Sequence, residues 1–88
     1  MTGAYIITRI HVGDYDEWRP MFDQDRPGAR DKALVQRVLR SVEDPDHVFI
    51  VLEFGSVADA EEARERLVSS GVLDRFEDKH GPNVLVEA

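Results

Sequence analysis

The chain has 88 residues, no cysteine, and 18 acidic against 11 basic side chains, for a net charge of −7. That length fits one domain spanning residues 1–88. It excludes disulfide staples and Cys-ligated zinc. The acidic balance disfavours nucleic acid and anionic membrane as partners, because like charges repel at a phosphate surface.

Hydrophobic residues make up 42% of the chain, enough for a core. A domain this small buries only roughly 60–65% of its unfolded surface, so self-association is a natural way to bury more. No apolar run approaches the ~18 residues of a membrane span. The start, MTGAYIITRI, has no basic segment leading into an apolar one. The expected location is therefore the cytoplasm.

Residues 4–12, AYIITRIHV, are rich in β-branched and aromatic types and predict a strand. Ala4, Ile6, Thr8, Ile10 and Val12 fall on one face, and Tyr5, Ile7, Arg9 and His11 on the other. Asp14 then reads as a helix N-cap, with Glu17 completing a capping-box pattern. Tyr15, Trp18 and Phe22 follow as one helical stripe. Pro20 lies inside this helix and is expected to kink it. Pro27-Gly28 ends it, leaving room for one more turn through 28–32.

Residues 33–42, ALVQRVLRSV, predict a second strand, EDPD (43–46) a turn, and HVFIVLEFG (47–55) a third and most apolar strand. Ser56 caps a second helix, with Val57, Ala60, Ala63, Leu67 and Val68 as its buried stripe. Glu62 and Arg66 form an i,i+4 pair, and Gly71 closes the helix. VLDRFEDKH (72–80) predicts a short extra helix, Gly81-Pro82 a turn, and NVLVEA a last strand.

The order β-α-β-β-α-β is the split βαβ arrangement of the ferredoxin-like α+β fold, with a four-stranded antiparallel sheet carrying both helices on one face. Pairing the middle hairpin so that Arg37 faces Glu53, Leu39 faces Val51 and Ser41 faces Phe49 sorts the sheet. Val38, Arg40, Val48, Ile50, Leu52 and Phe54 meet the helices. Tyr5, Ile7, Val35, Leu39, Phe49 and Val51 form an apolar patch on the far face, punctuated by Arg9, His11, Arg37 and Glu53. A patch that size fits a homodimer joined sheet to sheet, with Tyr5, Arg9, Arg37, Phe49 and Glu53 in the interface and Arg37–Glu53 as a cross-strand pair.

Several stretches together carry a family resemblance. HVGDYDEW…FD, Pro27 with Arg30, RVLR…DPDHV at 37–48 and LEF at 52–54 resemble the dimeric α+β barrel superfamily. Within it they are most similar to small proteins of the antibiotic biosynthesis monooxygenase (ABM) group. The resemblance spans nearly the whole chain. It implies two ferredoxin-like subunits packed sheet to sheet as a closed barrel, and a cavity between sheet and helices in each, lined by Trp18 and Phe22. Members include cofactor-free monooxygenases acting on polycyclic aromatics and haem-degrading enzymes, and related barrels include polyketide cyclases and isomerases. The polyketide monooxygenases' Asn/Trp/Tyr set has no match here, since Asn83 is the only Asn. His80 lies near the haem degraders' His, but their Asn is missing. Where close relatives place a helix-facing His in the first strand, this chain has Ile10, and His11 is one step along.

The candidate site residues each have two readings. His11 is suited to acid–base work by its titration range, or it is a histidine satisfied inside a dimer interface. Trp18 and Phe22 stack on a flat aromatic ligand, or they are core. Arg30 and Arg40 grip a carboxylate or phenolate, or they are surface ion pairs. His11, His47 and His80 lack metal-ligand spacing, and DYDE and EDPD lack a calcium loop's closing Glu, so no metal is expected. No cofactor is expected either. Two functions follow. One is a cofactor-independent monooxygenase, or a cyclase or isomerase, acting on a small aromatic or polyketide-like molecule. The other is a non-catalytic small-ligand-binding or structural homodimer. Sequence alone leaves open which of the two holds, and so whether the chain is an enzyme.

Overall fold

The computed structural model describes residues 3–24, 28 and 30–88. It shows β1 (Ala4–His11), α1 (Tyr15–Asp23), β2 (Val35–Arg40), β3 (His47–Phe54), α2 (Val57–Ser70) and β4 (Lys79–Val86). The four strands form one sheet in the order β2-β3-β1-β4, every neighbouring pair antiparallel. This is the ferredoxin-like α+β topology that the residue pattern predicts. No helix of the described residues is long and apolar enough to cross a membrane.

Local chemistry sets the helix ends. Asp14 Oδ1 accepts from the backbone N–H groups of Asp16 (3.0 Å) and Glu17 (3.3 Å) and so starts α1. Ser56 Oγ accepts from the Asp59 N–H at 3.2 Å and starts α2. Gly71 ends α2 in the left-handed region at φ 74°, where a side chain would be strained. Glu62 and Arg66 pair at 3.2 Å as their spacing predicts. Pro27 lies outside the described residues, and α1 already ends at Asp23.

The core is the helix-facing side of the sheet. Ala4, Ile6 and Ile10 of β1 and Val48, Ile50, Leu52 and Phe54 of β3 are buried there against Trp18, Ala60 and Ala63. The small residues of α2 let that helix sit close to the sheet. Val57 and Val68, expected in the buried stripe, are 39% and 51% exposed. They flank the narrow Ala60–Ala63–Leu67 stripe, which already fills the contact.

Three further expectations are corrected. First, the middle hairpin pairs Val35 with Glu53, Arg37 with Val51 and Leu39 with Phe49. This is two residues from the expected register, so the faces hold while the partners change. The proposed Arg37–Glu53 pair is therefore absent, and Arg37 has no hydrogen-bond or ion-pair partner among the described residues. The cause lies in the loop. Ser41 N–H bonds the His47 carbonyl at 2.9 Å and Ser41 Oγ accepts from the Asp44 N–H at 3.2 Å, so the turn opens at Ser41 and leaves Val42 in solvent.

Second, residues 72–80 do not form a helix. Isolated turns run from Gly71 to Asp74 and from Leu73 to Phe76, and the His11 N–H then takes the Asp78 carbonyl at 2.9 Å into the sheet. The helix-like spacing of Leu73 and Phe76 is real, because both side chains face the core. Third, Gly81-Pro82 lies inside β4 as a cis peptide rather than in a turn before it, at the point where the β1–β4 register shifts.

Candidate functional site: a cavity between sheet and helices

Trp18 is the buried residue of α1, and Phe22 lies one turn on, with ring centroids 4.9 Å apart. Because α1 meets the sheet mainly through these rings, a cavity of about 350 Å³ remains between them, β1, β3 and the end of α2. This volume is at the low end of the ~300–1,000 Å³ typical of ligand sites. Its floor is Thr8, Ile10, Ile50 and Leu52 of the sheet. Trp18, Met21 and Phe22 form one wall, Leu67 and Ser70 of α2 another, and Leu73, Arg75 and Phe76 close the end.

The lining is mostly apolar, with four polar side chains among the described residues. Ser70 Oγ donates to the Leu67 carbonyl at 2.8 Å and is occupied by its own helix. Thr8 is only 4% exposed and makes no side-chain hydrogen bond among the described residues, yet its hydroxyl is not a fully buried unpaired atom. Arg30 stacks 4.0 Å over the Phe22 ring, donates from Nη1 to Gln36 Oε1 at 3.0 Å, and donates from Nη2 to the Phe22 carbonyl. Arg75, on the exposed rim, donates to Met21 Sδ at 3.3 Å and lies 4.8 Å from the Phe76 ring centroid. No carboxylate and no imidazole line the cavity among the described residues.

Of the predicted ligand-binding residues, Trp18, Phe22 and Arg30 therefore converge on one space. Arg40 does not. Its guanidinium lies 3.8 Å over the Tyr15 ring, and Nε donates to the Pro45 carbonyl at 2.8 Å, bracing the hairpin loop against α1. His11 is on the far face of the sheet, with Nε2 3.0 Å from Asp44 Oδ2. An imidazole there has no path through the sheet to the cavity.

The far face holds the other predicted residues in two groups. At one end, Arg9 Nη1 donates to His47 Nε2 at 2.6 Å and to Asp78 Oδ1 at 2.9 Å. A guanidinium has no acceptor, so in this contact the arginine is the donor. The same arginine holds the Asp78 carboxyl below its ordinary value. At the other end, Tyr5 faces Glu53 across β1–β3, and the carboxylates of Glu53 and Glu87 push its phenol up. Between them lie half-buried Phe49 and Val51, with Ile7, Leu39 and Leu85 at 36%, 52% and 43% exposure. His80 faces Arg9 across β1–β4, away from the helices. Among the described residues no cluster of three His, Asp or Glu side chains converges to hold a metal.

Thr8, Met21, Ser70, Arg75 and Phe76 are among the lining residues that sequence reasoning missed. Thr8 carried a signal, as the one polar residue in the Ala4–Ile6–Thr8–Ile10 face. Arg75 and Phe76 were hidden inside the expected helix.

No protein-family model matches the chain, and no curated protein does. Solved structures do. A candidate antibiotic biosynthesis monooxygenase from Bordetella bronchiseptica superposes with a TM-score of 0.68 at 20% identity, covering 100% of this chain and 97% of that one. A protein of Mycobacterium tuberculosis matches with a TM-score of 0.65 at 15% identity, over 98% of this chain and 93% of its own. A candidate antibiotic biosynthesis monooxygenase from Chloroflexus aurantiacus matches with a TM-score of 0.57 at 15% identity, over 99% and 92%. Identities this low speak to fold and not to chemistry. In fold, this chain is a ferredoxin-type α+β domain similar to these solved structures.

Proposed function

We propose that the cavity beside Trp18 binds a small, flat aromatic molecule and that the protein oxygenates it without a resident cofactor. The observation that carries this reading is the space itself. It is about 350 Å³, walled by Trp18, Phe22 and Phe76, and two guanidinium groups are its only charged lining among the described residues. Structural neighbours described as candidate antibiotic biosynthesis monooxygenases support the oxygenase part.

The chemistry is what the resemblance to cofactor-free monooxygenases implies, and an apolar lining with two guanidinium groups is compatible with it. A methylene between aromatic rings and conjugated with a carbonyl is acidic, and its anion is electron-rich enough to react with O2. The net change is CH2 + O2 → C=O + H2O, and all the electrons come from the substrate. The protein's part is to hold the ring system in a dry apolar space and to place positive charge near the developing anion. The test is oxygen uptake by the purified protein with anthrone as probe. The expected result is conversion to the quinone with one O2 consumed per turnover, lost in Ile50→Phe, which fills the cavity, and retained in His11→Gln. Uptake no faster than without protein would overturn the catalytic part.

A second reading is a non-catalytic binder. It is favoured by the lack of any carboxylate or imidazole among the described lining residues, which leaves no general base in the cavity. Binding without oxygen uptake would select it.

In either case we infer that a second copy of this chain covers the far sheet face. Support comes from the exposed Ile7, Leu39 and Leu85 around half-buried Phe49 and Val51, an apolar patch on a domain too small to spare the burial. Tyr5, Arg9, Arg37 and Glu53 would then lie in that interface.

A further inference from the structure

We propose that the ligand of this cavity is an aromatic acid, with its anionic group held at the rim by Arg75 and a hydroxyl or carbonyl at its other end bonded to Thr8. The inference rests on the reading of the cavity as a ligand site and adds to it the class of ligand.

Two observations carry it. The first is Thr8. A threonine that is 4% exposed on an otherwise apolar floor, with no side-chain hydrogen bond among the described residues, is a polar group awaiting a partner. Its neighbours on that face, Ile6 and Ile10, are hydrocarbon and offer none. Thr8 lines the cavity and its hydroxyl is not among the fully buried unpaired atoms, so a bound molecule can supply the bond.

The second is Arg75. In a chain of net charge −7, most arginines of the described residues find a carboxylate or a carbonyl. Arg75 has neither. Its contacts are a thioether and an aromatic face, Met21 and Phe76, both of which also line the cavity. These contacts hold the guanidinium at the rim and leave its strong hydrogen-bonding capacity unused. With no carboxylate in the lining among the described residues, Arg30 and Arg75 give the cavity its positive charge within an acidic protein. A planar anion is what a guanidinium fork recognises best.

Calorimetric titration of the full chain with three matched probes tests this. They are 6-hydroxy-2-naphthoic acid, its neutral carboxamide, and 2-naphthoic acid without the hydroxyl. The acid is expected to bind at least about tenfold more tightly than the amide, the scale of a charge-assisted hydrogen bond. Arg75→Gln is expected to remove that ratio while leaving the amide's affinity in place. Thr8→Val is expected to remove the preference for the hydroxylated acid over 2-naphthoic acid. Circular dichroism of both variants verifies that they fold. Equal binding of acid and amide, lost in Ile50→Phe, would overturn this inference and leave the cavity reading standing. No binding of any probe would overturn both.

Discussion

The rings of Trp18 and Phe22 lie 4.9 Å apart and tilted by 31°, and the Arg30 guanidinium caps the Phe22 ring from 4.0 Å. This stack is the wall on which the proposed site depends, and it also fastens α1 to the sheet. Trp18→Ala is expected to cost about 3 kcal/mol, the low end of the ~3–5 kcal/mol range for buried large-to-Ala changes, because part of the ring already faces open space. Chemical denaturation measures it. Trp18→Phe keeps most of the wall and is expected to cost less than half as much.

Leu39 and Ile7 test the far face. The wild-type chain is expected to sediment at twice its 10.0 kDa mass, and Leu39→Asp or Ile7→Asp at the single-chain mass. An aspartate in the centre of an apolar interface is a desolvated, unpaired charge. A monomeric wild type would show that this face has some other cover or none.

Gly81 and Gly13 separate two costs of adding a methyl group. Both sit at positive φ, 94° and 83°. At Gly81 a Cβ would lie 2.6 Å from the Ile7 carbonyl oxygen, whereas at Gly13 nothing lies within 4 Å. Gly13→Ala is expected to lose about 1–2 kcal/mol, the left-handed backbone penalty alone. Gly81→Ala is expected to lose clearly more, since the carbonyl belongs to a paired strand and has little freedom to move. Equal losses in urea unfolding would show that β4 shifts freely at the bulge.

Asp78 gives a pH dependence of known sign. Its folded-state pKa is lowered from 3.8 by the hydrogen bond from Arg9. A lowered carboxyl stabilises the fold above its unfolded pKa, and that contribution fades as pH falls through the folded value. The difference in melting temperature between wild type and Asp78→Asn is expected to stay constant near neutrality and to shrink below pH 3.8. Because the pair is exposed, the difference is small throughout. A difference that grows with acid would contradict the assignment.

What could be read from the residues was local. Asp14, Ser56 and Gly71 each act within one turn of themselves, so caps and helix ends followed from spacing. The face alternation also survived a two-residue change of register, because side chains repeat every second residue. What depends on distant contacts was not legible. The hairpin register followed from bonds made by Ser41 across its loop, which displaced Arg37 from Glu53. Arg40 belongs to the helix-facing side, yet it is drawn to Tyr15 and Pro45 at the rim of the hairpin and away from the cavity. Leu73 and Phe76 share the spacing of a helix, and only the pull of Asp78 into the sheet shows that they and Arg75 end the cavity.

The most direct test of the central claim uses the chain's single tryptophan, whose indole N–H gives one cross-peak in a ¹H–¹⁵N spectrum. Titration with 2-naphthol is expected to shift that peak saturably, to lose the shift in Ile50→Phe, and to keep it in His11→Gln and Arg40→Gln. An indole peak that does not move, or that moves equally in Ile50→Phe, would contradict a ligand site beside Trp18.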